Sequence, residues 1–210
     1  MTGILSKIKF PDKEEVGHIV IDSSGIKVYG EKEWLETRQG KKYQRRKWRK
    51  IHIGVDEKGN ILDLKMTDHK TNDRQMTKPI IESIGFKNID EILGDGGYDS
   101  LDIYSYLKEK NILTLIPPPL NARVHEKRDD LSQRNKTVKY IKKKGYHAWV
   151  SKNNFGRRNR VENTFYRIKT IFGRSFMSRI WKNQNVESKL IANLLNKMTS
   201  LGMPKSVKLS

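Results

Sequence analysis

The sequence predicts an α/β fold in which a mixed β-sheet is flanked by helices. Short apolar runs of strand length, such as residues 18–22 and 112–116, are followed by segments whose apolar residues recur at helical spacing. The two kinds of segment are mixed along the chain and are not grouped into separate halves. This order is typical of a sheet covered by helices, and 210 residues favour a single domain.

The first half of the chain contains most of the predicted strands. These strands are residues 18–22 with a continuation over 26–29, residues 48–56, and residues 61–67. The last two flank the turn-type sequence Glu57-Lys58-Gly59-Asn60, so we interpret them as an antiparallel hairpin. A helix is predicted over residues 76–84, with Asp73 as its cap and Gly85 just after its end.

The second half adds shorter strands and longer helices. The predicted elements are a strand over 89–95, a helix that is capped by Asp99 or Ser100 and runs to about residue 110, a strand over 112–116, and helices over 156–172 and 185–201. Residues 120–154 are polar and lysine-rich without a clear period, so we expect an insertion or a loosely packed subdomain there. We therefore expect a leader over residues 1–15 and one domain over residues 16–210.

The composition points to an anionic partner. Lysine and arginine number 43 against 24 aspartate and glutamate residues, so the formal net charge is +19. Nucleic acid is the commonest partner of so basic a protein, although a membrane surface or an acidic protein also fits the charge. The chain has no cysteine, which excludes disulfides and thiolate zinc sites. No apolar stretch reaches the roughly 18 residues of a membrane span, and no secretory signal is present, so we expect an intracellular protein.

One helical stripe carries unusual residues. The angles of these residues around the helix axis are close to one another. With about 100° per residue and Glu162 at zero, Arg158 lies at about −40°, Lys169 at about −20° and Phe155 at about +20°. The apolar face lies beside this stripe, which places Glu162 at the edge of the core. The simplest alternative is an ordinary surface ion pair between Arg158 and Glu162, because such i, i+4 pairs are common on exposed helices.

Two more carboxylates support a functional interpretation. Asp22 and Asp95 stand at the carboxyl ends of predicted strands, where open α/β sheets place their ligands. Glycines around Asp95 allow a bulky anion to approach closely, although they also suit a plain turn. Three carboxylates that come together repel one another unless hard divalent cations neutralise them. Asp22, Asp95 and Glu162 therefore predict a site for Mg²⁺, and two such ions support in-line phosphoryl transfer.

The residues at this point resemble a known family, the DDE transposases of bacterial insertion sequences. One large group carries Tyr-x2-Arg-x3-Glu-x6-Lys around the third acid, and this sequence has Phe155-x2-Arg158-x3-Glu162-x6-Lys169. Further segments also look like that family, namely residues 21–24, 48–56, 69–73 and 94–100. The resemblance covers roughly residues 16–200 by pattern.

The resemblance implies an RNase H-like fold and a complete set of roles. Asp22, Asp95 and Glu162 would be the catalytic acids and the ligands of two Mg²⁺ ions, with Mn²⁺ as a substitute. Phe155, Arg158 and Lys169 would contact the DNA. The reaction would be cleavage at transposon ends and transfer of the freed 3′-OH to target DNA. We also expect a homodimer on DNA, no membrane association, and a place in the bacterial cytoplasm, at the nucleoid when bound to DNA.

Two departures from the family pattern affect these expectations. Phe155 replaces the usual tyrosine and loses a phenolic hydrogen bond, which puts one phosphate contact in doubt. Only 21 residues precede Asp22, whereas related proteins usually carry an N-terminal DNA-binding region. This length suggests a truncated copy or the second half of a split reading frame.

Other charged and aromatic residues receive simpler interpretations. Residues 38–50 hold eight Lys or Arg with two interleaved aromatics, which favours phosphate contact over a merely solvated face. Trp149 more often packs a small core than stacks on a flipped base. Most remaining aspartates suit turns or helix starts; they are Asp56, Asp63, Asp68, Asp73, Asp90, Asp99 and Asp102. The five histidines lack metal-ligand spacing.

Two other functions remain open from the sequence. An RNase H-like nuclease would hydrolyse DNA without strand transfer. A non-catalytic DNA-binding remnant would instead regulate a full-length transposase by competing for ends or partners, and the short N-terminus supports this second alternative.

Overall fold

The predicted mixed sheet flanked by helices is confirmed by the computed structural model, which describes residue 10 and residues 17–28, 48–85 and 89–202. Within these residues the sheet order is β3-β2-β1-β4-β5, and β6 pairs with β1. The strands are β1 (Gly17–Val28), β2 (Trp48–Val55), β3 (Ile61–Asp68), β4 (Ile89–Leu93), β5 (Leu113–Leu115) and β6 (Ser175–Phe176). Predictions for the leader, Tyr29 and most of the basic run over 38–50 fall outside the described residues.

Helices cover both faces of this sheet. They are α1 (Thr77–Ile84), α2 (Leu101–Glu109), α3 (Ser132–Lys144), α4 (Tyr146–Lys152), α5 (Asn159–Ile171) and α6 (Trp181–Ser200). No helix within the described ranges is long and apolar enough to cross a membrane.

Strand β1 is the centre of the sheet and separates two hydrophobic cores. It pairs antiparallel with β2 and parallel with β4. Side chains alternate between the two faces of a strand. Val20 and Ile26 therefore pack in one core with residues of α5 and α6, while Ile19 and Ile21 pack in the other with residues of α1 and α2. Asp22 and Ser24 have the same parity as Val20, so they belong to the face that α5 covers.

The segment over residues 120–154 is more ordered than the sequence predicts, because it contains α3 and α4. The hydrophobic period is hidden since the buried face of α3 is largely polar: Arg134, Asn135 and Thr137 are buried beside Val138. The Asn135 side chain bonds the backbone of His125 in both directions, at 2.9 Å each. Polar partners thus replace part of the apolar stripe by which such a helix is normally predicted.

The predicted helix caps differ in detail from the observed ones. Asn72, and not Asp73, accepts a hydrogen bond from the Arg74 N–H at the start of the turn before α1. Asp73 instead accepts from the Lys50 ammonium at 2.8 Å. Ser100 occupies the cap position of α2, and its side chain forms no capping hydrogen bond.

Asp99, the other predicted cap of α2, forms a buried ion pair with Arg134. Both carboxylate oxygens accept from the guanidinium, at 2.8 and 2.7 Å, and Arg134 also donates to the Arg123 carbonyl at 3.0 Å. Both side chains are more than nine-tenths buried. This pair joins α3 to the turn that follows Asp95, so the 120–154 segment helps to fix one edge of the sheet.

We expect Arg134→Met to lower the free energy of unfolding by about 3–5 kcal/mol, because it leaves the Asp99 carboxylate buried without a counter-charge. Urea unfolding monitored by circular dichroism measures the change. Arg128→Met is the matched control, since Arg128 pairs with Asp130 at the surface, where solvent screens such pairs and they contribute little to stability. Equal effects of the two variants would contradict the structural role of the buried pair.

Candidate active site

Asp22 of β1 lies near Asp95, which caps the turn just after β4. In the parallel pairing of β1 with β4, Val20 is opposite Leu93. Asp22 and Asp95 each lie two residues beyond this last pair, close enough for the charge of Asp95 to raise the pKa of Asp22. The sequence predicted both acids at strand ends, but Asp22 lies in the middle of β1, which continues unbroken to Val28, whereas Asp95 does lie just beyond the end of β4.

The environment of Asp22 favours its protonated form. Its Oδ1 accepts a hydrogen bond from the Ser23 N–H at 2.7 Å, and the side chain is mostly buried. Burial raises the pKa of Asp22 to about 6, and the negative charges of Asp95 and Glu162 act in the same direction. The Ser23 N–H and the Arg158 guanidinium oppose this rise in pKa only in part. A cation at this position would remove the cost of ionising Asp22.

The Asp95 turn is built around glycines. Asp95 caps a short turn over Gly96–Tyr98, and its Oδ1 accepts from the Gly97 N–H at 2.8 Å. A side chain on Gly97 would place Cβ only 3.0 Å from that same oxygen, and one on Gly96 would press on the Pro117 carbonyl at 3.2 Å. The glycines therefore let the turn close tightly and keep the Asp95 carboxylate open on its other side.

Arg158 links Glu162 to Asp22. Its Nη1 donates to Glu162 Oε1 at 2.5 Å, and its Nη2 lies 3.7 Å from Asp22 Oδ2. The predicted i, i+4 pair therefore forms. It does not lie on a purely solvated face, because Arg158 also contacts the mostly buried Asp22. The guanidinium supplies a positive charge between two of the three predicted acids.

Lys169 lies on the same face of α5, two turns further along. Its ammonium donates to the Ser24 hydroxyl at 2.6 Å, which holds it against β1 two residues from Asp22. The predicted stripe of Arg158, Glu162 and Lys169 thus faces the middle of β1, where Asp22 lies.

Phe155 is the exception to the predicted stripe. It lies in a 3₁₀ turn (Phe155–Arg158) that precedes α5, after Asn154 in a left-handed conformation with φ 47°. Its side chain is only 6% exposed and packs on Trp149 with ring centroids 4.9 Å apart. The helical wheel was wrong here because it continued the period of α5 into residues that are not α-helical. Trp149 is itself buried, as the simpler interpretation expects.

The donor set suits a divalent cation but is not assembled around one. Within the described parts of the chain, no three His, Asp or Glu side chains lie close enough together to hold a metal ion. Asp22 and Asp95 offer hard oxygen donors that magnesium prefers. Glu162 instead points at Arg158, whose guanidinium takes the place of a cation between Glu162 and Asp22. The residues would therefore fit the predicted ion if Glu162 turned away from Arg158 and bound the ion instead.

Sequence reasoning missed a supporting cluster on the opposite face of β1. The buried Tyr98 ring lies next to Ser23, and its pKa is raised by burial and then by Asp22, Asp73 and Asp95. His52, opposite Ser23 in the hairpin, is fully buried and bonds Thr67 through Nε2 at 2.8 Å. Burial lowers the pKa of His52 to about 4, so it is neutral. These residues pack behind the acids and hold them in position.

We expect Asp22→Asn to stabilise the metal-free protein above pH 6 by on the order of 1–3 kcal/mol. The native pKa of about 6 exceeds the ordinary 3.8, so the folded state binds the proton more tightly. Stability therefore falls as pH rises from about 4 to about 6, and the variant escapes this loss. Urea unfolding in chelator at pH 4 and pH 7.5 measures the difference. Asp90→Asn, at an exposed position of β4, should change neither value, and no gain from Asp22→Asn at pH 7.5 would contradict the burial cost.

Comparisons with known proteins agree with this architecture. The chain matches the family described as "Transposase DDE domain" over residues 15–196. Its structure is similar to that of the piggyBac transposase, determined by cryo-EM as a synaptic complex with hairpin DNA, with a TM-score of 0.50 and 11% identity. The match covers 88% of this chain and 47% of that one, so this chain spans about half the length of that transposase. The fold is of the RNase H-like type, and the chain belongs to the DDE transposase domain family.

Proposed function

We propose that this chain is the catalytic domain that cleaves phosphodiesters at transposon ends and joins the freed 3′-OH to target DNA. The observation that carries the proposal is the placement of Asp22 beside Asp95, with Glu162 joined to Asp22 through Arg158, inside a transposase DDE domain. The structurally similar piggyBac transposase was seen with DNA, which supports DNA as the partner.

Asp22, Asp95 and Glu162 would hold two Mg²⁺ ions, with Mn²⁺ as a substitute. When bound, such a pair activates the attacking oxygen and stabilises the leaving oxygen of an in-line displacement. Two backbone N–H groups fix two of these carboxylates. The Ser23 N–H donates to the buried Asp22 carboxylate, and the Gly97 N–H donates to the Asp95 carboxylate. Glu162 is the least constrained of the three, because it is half-exposed and bound only to Arg158 among the described residues.

Arg158 and Lys169 would bind phosphates of the DNA end. At the site, Arg158 donates to the Glu162 carboxylate, and Lys169 donates to the Ser24 hydroxyl. If Glu162 bound a metal ion, the Arg158 guanidinium would be free to bind a phosphate, which its fork geometry matches. For Phe155 the buried position favours support of the turn before α5, so a direct DNA contact stays a prediction that its packing does not favour.

The remaining expectations complete the proposal. The chain would act as a homodimer on DNA, as part of a bacterial insertion sequence, in the cytoplasm at the nucleoid. Residues 120–154 would be an insertion of the catalytic domain, and α3 and α4 within it supply Arg134 and Trp149 as packing contacts.

A strand-transfer assay tests the function against its two rivals. Labelled transposon ends are incubated with a target plasmid and Mg²⁺ or Mn²⁺, and cleaved and joined products are separated on gels. Joined product supports a transposase. Cleavage without joining at any metal concentration would identify a nuclease, and binding without cleavage would identify a regulatory remnant.

A further inference from the structure

A second exposed cationic and aromatic site lies at the far end of β1 and β2. Arg49 of β2 lies over the ring of Trp181, the first residue of α6, with its guanidinium carbon 4.7 Å from the ring centroid. The indole remains 43% exposed, and its neighbours Ile180 and Met177 are exposed as well. None of these residues belongs to the acidic site.

A buried side chain holds the Arg49 guanidinium in place. Gln184 is 0% exposed, accepts from Arg49 Nε at 2.9 Å, and donates to the carbonyls of Ser178 and Arg179 at 3.1 Å each. Its amide is therefore fixed by two backbone acceptors, and it fixes Arg49 in turn. Because only Nε is used, the terminal nitrogens of Arg49 donate to no acceptor among the described residues.

The acid opposite Arg49 in the sheet, Asp68, accepts its hydrogen bonds from other groups. Asp68 is opposite Arg49 in the pairing of β2 with β3. Its Oδ1 instead accepts from the backbone N–H groups of Lys70 and Thr71, at 2.8 and 2.9 Å. A guanidinium that is held through Nε and forms no ion pair within the described residues is suited to an anion from outside the chain.

The site lies on the same face of the sheet as the acids. Arg49 is opposite Ile26 in β1, and Ile26 has the same parity as Asp22 and Ser24. Four residues of strand separate Ile26 from Asp22, which is about 13 Å at 3.3 Å per residue. That distance corresponds to about four steps of a DNA strand, and Lys169 lies between the two points at Ser24. One bound DNA molecule can therefore reach both sites.

The chemistry of the pair matches a nucleotide with an unpaired base. The Trp181 ring is exposed, and the Arg49 terminal nitrogens donate to no acceptor among the described residues, so both groups can contact a ligand from outside the chain. An indole stacks on any base whose face is not covered by a neighbour, and a guanidinium binds the adjoining phosphate. A fully paired duplex hides its base faces and would use the phosphate contact alone.

We propose that Trp181 and Arg49 form a second DNA-binding site, which stacks an unpaired base on the indole and holds the adjoining phosphate with the guanidinium. The proposal rests on the proposed function, because it takes the bound DNA as its ligand. It adds a preference for DNA with unpaired bases about 13 Å from the acids.

The test measures binding of two probes in chelator, so that cleavage does not occur. One probe is a blunt duplex, and the other is the same duplex with an unpaired strand that carries 2-aminopurine at successive positions. We expect Trp181→Ala to weaken binding of the second probe by about 5-fold to 100-fold and to abolish quenching of 2-aminopurine, with a change of less than about 2-fold for the blunt duplex. Trp181→Phe should restore most of the affinity, since it keeps a ring.

Controls separate this site from folding and from the proposed function. Ile180→Ala, an exposed apolar neighbour, should leave both affinities within about 2-fold, and urea unfolding checks that each variant folds. Arg49→Gln should weaken both probes and reduce the salt slope of binding by about 1. If the wild type cleaves and joins DNA but Trp181→Ala binds the second probe normally, the site is disproved and the function stands. A wild type that binds neither probe overturns both.

Discussion

Replacing Asp22 or Asp95 by asparagine is expected to lower DNA cleavage by at least about 10³-fold, or about 4 kcal/mol in activation free energy. Asp22 and Asp95 each lie two residues beyond the last pair of β1 with β4 and are near each other, so both carboxylates can supply oxygens to one cation. An asparagine keeps the shape of the side chain but loses the charge that binds a hard cation. Single-turnover cleavage of a labelled end at saturating protein measures the loss, and Glu162→Gln should show it too.

Matched measurements show whether the loss arises at the metal site. Asp90→Asn, at an exposed position of β4, should leave cleavage unchanged. Mg²⁺ should raise the melting temperature of the wild type but not of the Asp22 or Asp95 variant, because only an intact site binds the ion in the folded state. DNA affinity in chelator should stay the same or rise, since each change removes a negative charge. Cleavage that survives in Asp95→Asn would mean that the metal-site assignment is wrong.

The site was predictable where local sequence and sheet geometry carry the same information. Asp95 follows the apolar strand β4, and the parallel pairing of β4 with β1 brings it near Asp22, although Asp22 lies within β1 and not at its end. Arg158 and Glu162 are four residues apart at the start of a helix, so their contact follows from the helical period.

Other parts of the site depend on where a helix begins. The wheel placed Phe155 with Glu162, but the α-helix begins only at Asn159, and the left-handed Asn154 sends the preceding turn in another direction. A single sequence does not fix such boundaries. Phe155 consequently packs in the core on Trp149.

Residues far apart in the chain were the least predictable. Arg49 and Trp181 are separated by more than one hundred residues, and neither one alone signals a site. Helix α3 was missed for a related reason, since its buried Arg134 looks like a surface residue until Asp99 is found opposite it. Polar groups that are buried through tertiary partners leave no hydrophobic period in the sequence.

Affinity for DNA is expected to fall steeply with salt. The net charge is +19, and Arg49, Arg158 and Lys169 lie along one face of the sheet. Each phosphate that a cation neutralises releases condensed counterions, so the logarithm of the association constant falls linearly with the logarithm of salt concentration. For about six to ten contacted phosphates, the association constant drops by about 10³-fold to 10⁵-fold between 50 and 200 mM salt.

Fluorescence anisotropy of a labelled duplex in chelator, over a series of salt concentrations, gives this slope directly. Lys169→Ala should reduce the slope by about 1, because it removes one phosphate contact. Lys139→Ala is the matched control. Lys139 is an exposed lysine of α3, and it pairs with Glu126 and not with Asp22, Asp95 or Glu162. A flat response of the wild type would exclude the DNA backbone as the main ligand. An equal slope for both lysine variants would instead place the bound DNA elsewhere on the basic surface, and not along the face that joins the acids to Trp181.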